Sequence, residues 1–469
     1  MVSGKKYVFP VLCFALFLLL FTACGSKAEP VPTPVPTPSP VVLPDGGEMP
    51  PSSIYLDLTG ITHDRINETK EVLKEFPKLI AAKLGAVSAD DFAALFRSYP
   101  DIIWSYSFDF RNQTRDLRET ELDLTGITDE EAAFLLKILP AMKDLKTVHL
   151  GSEAAAPTDW NIITSLAKAA PWAAYDYNFT IYGVNCNLSD AKLDLWQIPV
   201  EDNCAEVYKV LPAMTKCTYV DMDSCGVESE VMAELRDAFP EKNVVWRVNF
   251  SWSYTVRTDT EKILCSLTGD WWGDLGLTNE ASVEPLKYCT KVKYLDLGHN
   301  NKMETISFTA YMPDLEVLII YKDKVKDISP LANCKKLRYL ELCKTPCEDL
   351  SPLAGLTELT DLEIGDCPNI TDITCLYDLP NLQRLWIGNI TPVPQEQIDK
   401  FCELHPNCIV NTTDNEIDNT WRYYCIDYVS GSVYWPRYQE IREIFNYGEN
   451  AQGQSMWQFD PYVNRKRDY

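Results

Sequence analysis

Positive charge is scarce in this chain: 43 Lys and Arg stand against 68 Asp and Glu, a net charge of −25 over 469 residues. So acidic a chain repels phosphate backbones and anionic lipid heads, which excludes nucleic acid as a partner. The charge suits solubility, a cationic ligand or a calcium-rich exterior. Histidine is scarcer still. His63, His149, His299 and His405 are scattered and no Cys-x-x-Cys pair occurs, so a zinc site is not expected. The chain also lacks a Gly-x-Ser-x-Gly elbow, a His-Glu-x-x-His helix and a phosphate-binding Gly-x-x-x-x-Gly-Lys loop. His405, between Cys402 and Cys408, mimics a Cys/His dyad but reads as a histidine at a helix end. No catalysis, metal or cofactor is expected.

The apolar run Val8 to Ala23 is 16 residues, short of the about 20 that a membrane helix needs. With Lys5 and Lys6 before it, the run suits the apolar region of an export signal. It ends in Phe21-Thr-Ala-Cys24-Gly25, which resembles a bacterial lipoprotein box. The resemblance implies cleavage after Ala23 and acylation (palmitate among the chains) at Cys24, although Phe21 departs from the usual leucine. Two or more acyl chains hold a protein to a membrane where one does not. Lys5 and Lys6 leave with residues 1–23, so the mature chain is two units more negative. Alternating prolines from Pro30 to Pro40 favour extended polyproline II, and residues 24–52 read as a stalk.

Beyond the stalk the sequence repeats. Val292-x-x-Leu295-x-Leu297, Leu315-x-x-Leu318-x-Ile320, Leu337-x-x-Leu340-x-Leu342, Leu359-x-x-Leu362-x-Ile364 and Leu382-x-x-Leu385-x-Ile387 recur every 22 or 23 residues. Asp-Ile-Ser-Pro-Leu (327–331) and Asp-Leu-Ser-Pro-Leu (349–353) follow the middle copies. One such unit cannot bury its own apolar face and must stack on a neighbour, so the period predicts a solenoid. These residues resemble the short bacterial leucine-rich repeat of internalin-like proteins.

Residues 53–254 repeat with a longer unit. The strands Tyr55-Leu-Asp-Leu58, Glu121-Leu-Asp-Leu124 and Lys192-Leu-Asp-Leu195 each lead a block of strand, helix, strand and helix. The second helices close at Pro100, Pro171 and Pro240, which lie 71 and 69 residues apart. Each block runs into an aromatic strand: Ile103 to Phe110, Trp172 to Phe179 and Val245 to Trp252. Helices apolar on one face, alternating with strands, imply parallel strands and right-handed crossovers. This is similar to the longer α/β repeat of ribonuclease-inhibitor-type proteins. The expected fold is an α/β leucine-rich repeat solenoid, its two halves sharing one curved parallel sheet on the concave face, with helices and 3-10 turns outside.

Residues 255–290 interrupt the pattern as a junction, with Trp271-Trp272 read as a packed wedge rather than an exposed contact. Short repeats and a last helix and strand occupy 291–411. Residues 412–469, rich in aromatics around Trp421 and Trp435, read as a cap over the open end of the stack. Of sixteen cysteines, Cys13 leaves with the leader and Cys24 takes lipid; the remaining fourteen permit disulfides in an exported chain. Their places within repeats favour free, buried thiols, with Cys402–Cys408 a candidate local bridge. The whole arrangement resembles lipid-anchored leucine-rich repeat proteins of gut Firmicutes. That resemblance implies a fold and a place on the outer side of the cell membrane, and no substrate.

Leucines of such a repeat point into the core, and alternate strand positions point onto the opposite face. One column reads Tyr294, Val317, Tyr339, Asp361, Arg384; the next Asp296, Ile319, Glu341, Glu363, Trp386; a third begins Gly298, Tyr321, Cys343. Aromatic, acidic and cationic groups on a rigid sheet suit a recognition surface. The expectation is a non-catalytic recognition protein binding a protein or peptide there. One alternative is binding of glycan or cell wall through the aromatic strands; a second is a passive envelope scaffold.

Overall fold

The computed structural model describes residues 39–250, 254–265, 279–388, 390–412, 440–441 and 443–445. The export leader, Cys24, the Trp271-Trp272 pair and most of the aromatic tail lie outside these residues. Among the described residues no helix is long and apolar enough to cross a membrane.

The five short repeats form what their spacing demands. Strands Lys262–Leu264, Tyr294–Asp296, Val317–Ile319, Tyr339–Glu341, Asp361–Glu363, Arg384–Trp386 and Ile409–Asn411 make one seven-stranded parallel sheet. Its register is unbroken: Leu295, Leu318, Leu340, Leu362, Leu385 and Val410 stand side by side. The Ser-Pro-Leu segments become 3-10 turns, Ser329–Asn333 and Ser351–Leu353, with proline in the first turn where its missing N–H costs nothing. After each strand one residue takes a left-handed backbone, His299, Lys322, Lys344 and Asp366 in turn. The next residue then points inward to the backbone of the preceding coil. Asn300 donates to the Cys265 carbonyl at 2.8 Å, and Cys367 Sγ donates to the Leu342 carbonyl at 3.2 Å. Asp323 holds the equivalent place, where a carboxylate has no proton to give.

In the first half each block builds its own sheet. The first holds β3 (Tyr55–Leu58), β4 (Ala81–Leu84) and β5 (Ile103–Ser105), preceded by a small ribbon of β1 (Val41–Val42) and β2 (Glu48–Met49). Leu43 in that ribbon is buried in the core, so residues 41–49 belong to the folded part although composition placed them in the stalk. The second block joins Glu121–Asp123, Thr147–Ser152 and Ala174–Ile181 in parallel, and the third Lys192–Asp194, Tyr219–Asp221 and Asn243–Val245. The helices are capped and one-faced. Thr128 and Glu131 form a reciprocal capping box, and Ala132 and Leu135 face inward.

The single curved sheet expected across both halves is therefore divided. Each aromatic strand turns back on itself as an antiparallel ribbon: Ser107–Phe110 with Gln113–Asp116, Ala174–Ile181 with Val184–Asn187, and Arg247–Phe250 with Tyr254–Arg257. Left-handed residues make the first two reversals, Arg111-Asn112 and Tyr182-Gly183. A ribbon occupies the ladder that the next block's strand would have used. The core, however, is continuous: one apolar cluster runs from Leu43 to Phe401. This is an α/β leucine-rich repeat solenoid with one spine and interrupted sheets.

Candidate functional site

The columns read from the sequence are rows in the structure. Tyr294, Val317, Tyr339, Asp361 and Arg384 stand in register, as do Asp296, Ile319, Glu341, Glu363 and Trp386. Their exposure is not as expected. Apart from half-buried Tyr294, every residue of both rows is buried, and so are Gly298, Tyr321 and Cys343.

The cover comes from far along the chain. Ile441 and Phe445, in helical conformation, form a second apolar cluster with Leu264, Val317, Ile319, Tyr321, Tyr339, Cys343 and Trp386, separate from the leucine core. Polar contacts hold the edges. Arg338 grips Glu440 at 2.6 Å, and Lys262 Nζ donates to the Ile444 carbonyl at 2.9 Å. The tail, read as a cap for the end of the stack, thus places these residues on the strand face. The reason is physical: Val317, Ile319, Tyr339 and Trp386 together are too apolar to remain in water. Spacings four apart, Ile441 and Phe445, supply a matching helical stripe.

Three charged members of the rows, Arg384, Asp361 and Glu341, are buried with partners. Arg384 Nε donates to Asp361 at 3.0 Å, with both side chains almost fully enclosed. The Tyr339 hydroxyl donates to Glu341. The neighbouring face of the third long block is a buried charge network that sequence reading missed. Arg257 Nη1 donates to Asp221 at 3.2 Å and Asp223 at 2.9 Å, and Arg247 grips Asp223 with two nitrogens. Burial alone would raise the Asp223 carboxyl. The hydrogen bonds and charge of Arg247, helped by Ser224 and Arg257, overcome that and hold it below the usual carboxylate range. Arg247 and Arg257 are cross-strand partners in the ribbon, a pairing visible only once the ribbon exists.

The first two blocks differ. On the second, Asp123, His149 and Asp176 form a row across three strands, and the His149 side chain, 43% exposed, meets Asp176 at 3.1 Å. On the first, Tyr55 and Ile103 are 47% and 66% exposed.

Among the described residues, the alternating rings of the first two aromatic strands face inward. Trp104, Tyr106, Phe108 and Phe110 are buried, as are Tyr175, Tyr177 and Phe179. Their hydroxyls are spent on backbone, Tyr106 on the Val87 carbonyl and Tyr175 on the Leu166 carbonyl. A cleft of about 850 Å³ at the junction is lined by Arg236, Lys242, Glu261, Lys293 and Asp314, among others. Its charges are balanced locally: Lys293 pairs with Glu261, and Lys242 donates to the Met214 and Cys217 carbonyls.

Thirteen described cysteines are free, Cys402 and Cys408 among them. Burial pushes the thiols of Cys225, Cys334 and Cys367 up to about 12, far from a reactive thiolate. Among the described residues no group of three or more His, Cys, Asp and Glu is arranged to hold a metal ion.

The sequence matches no protein-family model and no curated protein. Among solved structures, an internalin C2 from Listeria monocytogenes is similar at TM-score 0.27 and 17% identity, over 60% of this chain and 84% of that one. Another Listeria monocytogenes internalin gives 0.24 and 14%, over 73% and 78%. A leucine-rich repeat protein of Leptospira interrogans gives 0.26 and 14%, over 73% and 74%. Such scores carry no weight of their own; the repeat register, the 3-10 turns and the inward turn residues define the class.

Proposed function

We propose that this chain is a non-catalytic recognition protein, held at the outer side of the cell membrane by lipid on Cys24. It binds a protein or peptide on the strand face of its short repeats, through Tyr294, Asp296, Val317, Ile319, Tyr321, Tyr339, Glu341, Asp361, Glu363, Arg384 and Trp386. One observation carries this reading: the face already holds a helical turn from outside the repeats, through two apolar anchors and an ion pair. A surface that grips Ile441, Phe445 and Glu440 has the chemistry to grip a foreign helix of the same kind. In this conformation the chain's own segment occupies that place, so a partner competes with it.

Affinity capture from cell-wall extract and surrounding proteins tests the reading. An Ile441→Asp, Phe445→Asp variant is expected to recover more partner than the natural chain, and a Tyr339→Ala, Trp386→Ala variant less. Equal recovery by all three counts against this face. For the anchor, Cys24→Ser is expected to move the protein from the membrane fraction to the medium; retention in the membrane refutes it.

A further inference from the structure

Among the described residues, the first strand of the solenoid has an open side. In the first sheet the order is β3-β4-β5, so β3 is terminal. Its inner side is fixed by hydrogen bonds: the Ile54 carbonyl accepts the Ile80 and Ala81 N–H groups at 2.9 and 3.1 Å. Backbone groups of alternate residues in a strand point the same way. Leu56 and Leu58 therefore direct their N–H and C=O toward β4, and both residues are fully buried. Tyr55 and Asp57 direct theirs outward. Among the described residues β4 is the strand that pairs with β3, and no backbone hydrogen bond outside that ladder reaches Tyr55 or Asp57. The β1–β2 ribbon covers the leucine core through Leu43 and leaves both exposed.

This edge carries no lysine, proline or bulge, and its one charge is Asp57. Proteins protect edge strands with lysine, proline or a bulge, because an unpaired ladder is a template for another strand. Here the outward positions are an aromatic ring and one acid. Around them Ile54, Tyr55, Ile80 and Ile103 form an exposed apolar corner, at the starting ends of the same three strands. The second and third long blocks show no such corner among their described residues.

We propose that β3 takes an extended segment of a partner protein as an added strand, with an apolar residue beside Tyr55 and a lysine or arginine beside Asp57. The inner neighbour shows the pattern that fits. Ala81 stands beside Tyr55 and Lys83 beside Asp57, and the Lys83 charge helps hold the Asp57 carboxyl down after its hydrogen bonds to Thr59. A cation on the outer side meets Asp57 in the same way. The chain's net charge of −25 favours a basic segment over an acidic one, and over a second copy of itself. The site is separate from the short-repeat face and stands or falls without it.

The probes are two fluorescent eight-residue peptides of alternating threonine and valine, one valine being replaced by lysine in the first and by glutamate in the second. Anisotropy with the purified full chain at low salt is expected to show binding of the lysine peptide at least tenfold tighter than the glutamate peptide. Tyr55→Pro removes one outward N–H without touching the β4 ladder, and proline is tolerated on an edge. It is expected to weaken binding at least tenfold, and Tyr55→Ala by less. Asp57→Lys is expected to reverse the preference toward the glutamate peptide. No binding of either peptide, or binding that Tyr55→Pro leaves unchanged, overturns the proposal. So does a dimer in sedimentation that Tyr55→Pro dissolves, since the occupant is then a second copy.

Discussion

The strand face has two fates in this molecule. In the short repeats its rows are sealed: Val317 and Tyr339 pack in one cluster with Ile441 and Phe445, and Asp361 and Arg384 are buried as well. In the first two long blocks the equivalent row positions, Asp57, Lys83, Asp123, His149 and Asp176, are exposed or half-exposed. Strand geometry is the same in both. What differs is composition: the short-repeat rows mix Val, Ile, Tyr and Trp with their charges, whereas the compared positions of the open blocks are Asp, Lys and His alone. A leucine-rich repeat guarantees a buried spine; whether its other face meets water depends on what lands there.

The comparison can be broken in several places. The sharpest is the ion network beside the covered half. Arg257→Met leaves Asp221 and Asp223 buried without their shared cation, and urea denaturation is expected to show a loss of about 3–5 kcal/mol. Spine positions should not distinguish the halves. Leu122→Ala in the open half and Leu340→Ala in the covered half are each expected to cost about 2–5 kcal/mol, both being fully buried. A difference between them larger than that range means that the cover stabilises the spine.

Next is the cover itself. Phe445→Ala is expected to expose Cys343, which lies in the same apolar cluster and is otherwise enclosed. Alkylation at Cys343 by N-ethylmaleimide, followed by peptide mass spectrometry, should accelerate at least tenfold; an unchanged rate means the segment does not depend on that anchor.

A smaller effect is expected at Asp323. Burial, then the negative charge of Asp296, raises its carboxyl well above the ordinary value; the Asn300 backbone N–H opposes this from beyond full hydrogen-bond geometry. A carboxyl raised in the folded state binds its proton more tightly there. Its stabilising contribution is therefore full below the ordinary value near 4 and lost as pH rises through the raised one. Asp323→Asn supplies the proton that Asn300 uses at the same place. It is expected to gain about 1–3 kcal/mol at pH 7 and nothing at low pH. The smallest change is His149→Ala on the open row, expected to cost less than about 1 kcal/mol because both partners of its ion pair face water.

Much of this was legible in the residues. The recurrence of Leu-x-x-Leu-x-Leu placed five strands of the seven-stranded sheet, and alternation put each row in register, from Tyr294 to Arg384 and from Asp296 to Trp386; the first strand, Lys262–Leu264, fell in residues read as a junction. The cysteines within repeats were expected as free, buried thiols, and Cys367 is one, its Sγ donating to the Leu342 carbonyl. The division of the sheet was not legible, because the aromatic strands read as one piece and their reversals rest on Arg111-Asn112 and Tyr182-Gly183. Nor was the network of Arg247 and Arg257, which needs the ribbon to bring both to Asp223.

The sequence by itself determined the period, the spine and which side of each strand faces it, since these follow from side chains at fixed spacing along a regular backbone. Only the tertiary structure decided which part of the other face is closed. That choice rests on Arg338 meeting Glu440, 102 positions away, and Lys262 meeting Ile444, 182 positions away. No local pattern encodes contacts of that span. They form because an apolar face without a neighbour recruits whatever apolar stripe the rest of the chain can bring to it.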